Sequence, residues 1–95
     1  MEKTRNYVLR VLAGDSILIP RGKMAEKMNG TMTLSDTAAF IYEKADTSDS
    51  FEELLTQMSA EYQTAPESIR ADVLETLSFM TAYGILEESD REKKW

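Results

Sequence analysis

The hydrophobic pattern of this 95-residue chain changes period once, near Leu34, and that switch predicts a small sheet followed by helices. Ahead of it, residues 7–13 and 16–20 are short runs rich in β-branched and aromatic side chains, as strands require. Gly14 and Asp15 lie between them, which predicts a two-residue hairpin loop with glycine first, of type II′. Tyr7, Leu9 and Val11 would share one face; Val8, Arg10 and Leu12 would share the wetter one. Pro20 has no N–H, so it ends the second strand or stands where that donor is not needed. Asn29-Gly30 is a turn signal. It predicts a third strand over residues 31–34, folded back on the segment around Met24–Met28 and left at the edge of the sheet.

After Leu34 the period becomes helical. Ser35 is placed to cap a first helix with the apolar face Ala38, Ile41, Tyr42 and Ala45, ending near Asp46. Ser50 and Glu53 have the spacing of a capping box ahead of Phe51, Leu54, Leu55, Met58 and Tyr62. Thr64 and Glu67, with Pro66 between them, have the same spacing ahead of Ile69, Val73, Leu77 and Met80, and Gly84 suits the C′ position. The expected fold is α+β and winged-helix-like: three short antiparallel strands followed by three helices. Residues 1–6 are expected as an N-terminal tail, 7–87 as the domain and 88–95 as a charged C-terminal tail that frays.

Composition narrows function. Cysteine and histidine are both absent, which removes thiolate sites, disulfides, the commonest general base and the commonest metal ligand. No enzyme activity, metal or cofactor is therefore expected. No run approaches the roughly 18 apolar residues that span a bilayer. Nor does the start carry the apolar segment of a signal peptide. The expectation is a soluble, cytoplasmic protein with no membrane partner. Eleven Lys and Arg against 17 Asp and Glu give a net charge of −6, which argues against a nucleic-acid partner. The charge is uneven. Residues 1–34 hold six basic and three acidic side chains; the remainder is strongly acidic.

Two features point toward binding. On a wheel of about 100° per residue with Ile69 at 0°, Met80, Val73 and Leu77 fall at about 20°, 40° and 80°. Arg70, Thr81 and Leu74 continue one flank at about 100–140°, while Phe79 sits on the other shoulder at about 280°. Leu74 thus lies outside the core stripe. It either packs on a neighbouring helix, sits singly exposed, or walls a groove. The segment 31–34 holds no Lys, Glu or Pro to protect a strand edge. Residues 21–28 or a second copy could cover that edge; otherwise it is open to an extended peptide. Met24, Met28 and Met32 cluster in sequence around it, as an adaptable surface would.

The run Leu34-Ser-Asp-Thr-Ala-Ala-Phe-Ile-Tyr-Glu resembles the Leu-Asn-x-Thr-Ala-x-x-Ile-Trp-Glu start of the first helix in the PqqD family of pyrroloquinoline quinone biosynthesis proteins. Residues 16–20 resemble that family's second strand, and Ser50-Phe-Glu-Glu-Leu with Glu61-Tyr62 its second helix. Asp72-Val73, Leu77, Met80 and Gly84-Ile85-Leu86 are similar to its last helix and closing turn. The chain departs from the family where Thr76 replaces phenylalanine and Tyr42 replaces tryptophan; Phe79 and Leu74 are additional apolar positions.

This resemblance implies a non-catalytic adaptor that holds the leader of a ribosomally made precursor peptide as an added strand. The leader is then presented to a modifying enzyme, often a radical S-adenosylmethionine enzyme. The implied contacts are Thr31, Met32, Thr33 and Leu34 on the strand and Arg70, Val73, Leu74 and Leu77 on the helix. Lys23 and Lys27 would then favour acidic leader residues. The alternative is a winged-helix DNA-binding transcriptional regulator. The helix order permits it, but the last helix carries Glu67, Asp72 and Glu75 against one Arg70.

Overall fold

The computed structural model describes residues 1–88. In chain order the elements are β1 (Glu2–Lys3), β2 (Tyr7–Leu12), β3 (Asp15–Pro20), α1 (Gly22–Lys27), β4 (Met32–Leu34), α2 (Asp36–Thr47), α3 (Phe51–Tyr62), α4 (Pro66–Ala82) and β5 (Leu86–Glu87). The architecture is α+β, with a three-stranded antiparallel sheet in the order β2-β3-β4 and a winged-helix-like succession of helices. β1 and β5 form a separate two-stranded antiparallel pair.

The β2–β3 hairpin turns one residue earlier than its sequence predicts. Ala13 and Gly14 both have positive φ (53° and 84°), the signature of a type I′ turn, and Leu12 pairs with Asp15. That register sets Leu9 opposite Leu18, the fully buried centre of the sheet, and keeps Tyr7 in the ladder opposite Pro20. Holding Ala13 in the left-handed region costs about 1–2 kcal/mol. The segment expected to pair with residues 31–34 is instead the helix α1, and β4 pairs with β3. Met24 of α1 and Met28, the helix's C-cap residue, both pack on the core. They support the fold rather than line the edge of β4.

Ser35 and Ser50 cap α2 and α3 as predicted, their hydroxyl oxygens accepting from Ala38 N–H (3.1 Å) and Glu53 N–H (3.0 Å). The Glu53 carboxylate reaches back one residue further than a capping box requires, to Asp49 N–H. α4 differs from expectation. Ala65 is its N-cap and makes no side-chain cap bond, so Thr64 lies outside the helix and Pro66 alone sets its first turn. Its C-terminus closes as a Schellman motif: Ile85 N–H donates to Met80 O (2.7 Å) and Gly84 N–H to Thr81 O (3.2 Å). Gly84 (φ +71°) supplies the left-handed residue this requires. Ile85 and Leu86 then return to the core, fully buried.

Residues 1–6, expected as a tail, are a strap across the helices. β1 pairs with β5, Lys3 N–H donates to Asp46 Oδ1 (2.9 Å), and Lys3 Nζ pairs with Glu43. Thr4 Oγ1 and Asn6 Nδ2 donate to Gly84 O at 2.5 and 3.0 Å. The Tyr7 hydroxyl lies 3.0 Å from both Tyr83 O and the Met28 sulfur. Burial raises the pKa of this phenol, so it stays a donor. The carbonyls of Tyr83 and Gly84, just past α4, are thereby satisfied by side chains from near the other end of the chain. Of the tail expected at 88–95, residues 89–95 lie outside the described residues.

Candidate functional site

Backbone geometry at β4 follows from one bond. Arg21 N–H donates to Asn6 O (2.7 Å), extending the β2–β3 ladder past Tyr7–Pro20. Hydrogen-bonded pairs alternate in an antiparallel ladder, so Val8–Ile19, Arg10–Ile17 and Leu12–Asp15 are the bonded pairs. Ile17 therefore spends its backbone groups on β2, while Ser16 and Leu18 turn theirs toward β4, to Leu34 and Met32. Thr33, opposite Ile17, directs both its N–H and its C=O away from β3, along the open edge of the sheet. The same alternation sends the position of Pro20 to the β4 side, beyond the end of that strand, where no donor is needed.

Side chains follow the pleat. Met32 and Leu34 share the core face with Leu18, and Thr33 is exposed on the other. Beside this edge runs a groove of about 430 Å³. Met32, Thr33, Leu34, Ser35 and Ala38 form one wall, and Glu75, Thr76 and Phe79 of α4 form the other. At Thr76 the groove meets a second depression of about 290 Å³ between α2 and α4, lined by Thr37, Ile69, Asp72 and Tyr62 over a floor of Ile41, Met58 and Val73. Thr76 Oγ1 donates to Asp72 O (2.9 Å), so a short side chain tied to its own helix stands where the two hollows join. Phe79, 40% exposed, stacks on Tyr83 at 4.6 Å between ring centroids.

The eight sequence-predicted residues therefore separate. Met32, Thr33 and Leu34 border the groove, and Thr31 leads into it. Val73 is 1% exposed and belongs to the core and the floor of the second hollow. Leu74 and Leu77 lie on the opposite side of α4, in a separate hollow of about 400 Å³ with Met1, Phe51 and Thr81. Arg70 is on that side too. It donates to Glu52 at 2.9 and 3.3 Å and sits 5.5 Å from the Phe51 ring. The hydrogen bond from Arg70, helped by its charge, lowers the Glu52 pKa, and the bond to Glu52 raises that of Arg70.

The α4 side chains beside β4 are Glu75, Thr76 and Phe79, at about 240°, 340° and 280° on the same wheel. Leu74, the sequence's candidate for a groove wall, is on the other flank. The sequence signal for the observed wall is Phe79, a large apolar side chain on the other shoulder of the wheel. Among the described residues no group of three Asp, Glu, His or Cys is placed to hold a metal, and no helix is long and apolar enough to cross a membrane. A family model described as Coenzyme PQQ synthesis protein D (PqqD) matches residues 11–86, most of the chain. No curated protein and no solved structure matches it.

Proposed function

The chain belongs to the PqqD family, and on that basis we propose that it is a non-catalytic adaptor holding a precursor-peptide leader along the edge of β4. Membership supports a part in making coenzyme PQQ or a related peptide-derived product. The observation that carries the reading is the pair of backbone groups of Thr33 directed along an open sheet edge beside a groove. An extended segment paired there satisfies those groups. Its residue opposite Thr33 faces outward, and the residues on either side turn into the groove over Ala38, Thr76 and Phe79. The peptide-contacting set is then Thr31–Leu34 with Glu75, Thr76 and Phe79. The adaptor delivers the bound leader to a modifying enzyme, of the radical S-adenosylmethionine kind in the family's known logic.

Hydrogen–deuterium exchange tests this reading. Adding the leader of a precursor encoded beside this gene should slow exchange over residues 31–35, with an affinity of about micromolar, near −8 kcal/mol. Protection confined to α3 would count against it. Regulation through duplex DNA draws no support from α4, whose Glu67, Asp72 and Glu75 are exposed and whose Arg70 is engaged by Glu52.

A further inference from the structure

The groove has a charge as well as a shape. Glu75 lines it one helical turn before Phe79, and Asp72 lines its continuation past Thr76. Both are exposed, and neither has an ion pair among the described residues, whose salt bridges are Lys3–Glu43 and Arg70–Glu52. Among the described residues no lysine or arginine lines either hollow. The wall opposite Thr33 is thus apolar at Phe79 and anionic at Glu75.

We propose that the peptide taken up beside β4 carries a lysine or arginine two positions from an apolar residue, the apolar side chain on Phe79 and the cation against Glu75. This rests on the reading of β4 as the docking edge. The spacings are commensurate. Alternate side chains of a strand are about 6.6 Å apart. Residues four apart on a helix are about 6 Å apart along its axis. A carboxylate in the second position would meet Glu75 with no cation among the described lining residues to offset it. The inference therefore reverses the expectation that Lys23 and Lys27 draw in acidic leaders. Those lysines lie on α1, outside the groove lining, and Met24 and the C-cap Met28 pack on the core. An exposed pair of this kind favours binding by up to about fivefold, and salt screens it.

The test uses three fluorescein-labelled octapeptides of serine and threonine. Each has leucine at one central position and lysine, glutamine or glutamate two positions on. Anisotropy titration against the full chain at low salt should rank them lysine, glutamine, glutamate. The gap between each step should be about threefold to fivefold and should shrink at high salt. Glu75→Lys should reverse the order and Glu75→Gln should flatten it; both changes are at an exposed position. Equal affinities, or preference for the glutamate peptide, would overturn the charge inference. If all three peptides still shift the Thr33 amide in that case, the docking-edge reading stands without it. If none shifts the Thr33 amide, both fail together.

Discussion

Thr33 stands opposite Ile17 in a pair that exchanges no backbone hydrogen bonds, and this sends the Thr33 N–H and C=O to the outside of the sheet. Met32 and Leu34 on either side are bonded to Leu18 and Ser16 instead. The three residues of β4 therefore divide the work of the strand: two hold it in the fold and one is left to offer to a partner.

Proline substitution should separate these roles. Thr33→Pro removes a donor that β3 does not use, so thermal unfolding should change little while leader binding is lost. Leu34→Pro removes a ladder bond and should destabilise the domain outright. Calorimetric binding together with a melting curve for each variant checks both halves.

The two leucines on α4 should behave oppositely to each other in urea unfolding. Leu77, 5% exposed, should cost about 2–4 kcal/mol when changed to alanine. Leu74, 47% exposed, should cost less than about 1 kcal/mol. Neither sits beside β4, so Leu74→Ala should leave leader affinity unchanged. Phe79→Ala should weaken it by about 1–2 kcal/mol, the loss typical of an interface anchor.

Backbone strain gives a pair of predictions of opposite sign. Ala13→Gly should stabilise the hairpin by about 0.5–1 kcal/mol, because glycine takes the φ of 53° freely. Gly84→Ala should destabilise by about 1–3 kcal/mol. It adds a Cβ in the left-handed region, 3.1 Å from Asn6 Nδ2. Differential scanning calorimetry reads both.

Much of this fold is legible in the sequence because its signals are local. The caps at Ser35 and Ser50, the stripe of Val73, Leu77 and Met80, and the closing Gly84 each depend on neighbours within a turn or two. Helix α1 escapes because six residues form too short a window, although the spacing of Met24 and Met28 already fits a helix face. The strap escapes for a different reason. Thr4 and Asn6 find their partner at Gly84, some 80 positions away, and nothing near them in sequence marks it. The site is half legible for a physical reason as well. Periodicity locates the buried stripe of α4 but treats its two flanks alike. Only the position of α4 across the groove from β4 distinguishes the Phe79 flank from the Leu74 flank.

The Glu52–Arg70 pair has a pH signature. Arg70 holds the Glu52 carboxyl below its ordinary value of 4.5. A depressed carboxylate contributes stability above its unfolded pKa, and the contribution is lost as pH falls through the folded one. Carbon-detected NMR titration of Glu52 should show its midpoint below 4.5, and Arg70→Met should raise it. The pair is exposed, so the effect on melting should be small.

The most direct test of peptide uptake at β4 is the Thr33 amide itself. In the free protein it should exchange at nearly solvent rate, while Met32 and Leu34, bonded to β3, exchange slowly. At saturation with leader, the account predicts that the Thr33 amide shifts downfield and becomes slowly exchanging, with nuclear Overhauser contacts to a peptide backbone proton. Met32 and Leu34 should change little. A Thr33 amide that still exchanges freely in the saturated complex, with shifts gathered over Phe51–Tyr62 instead, would contradict it.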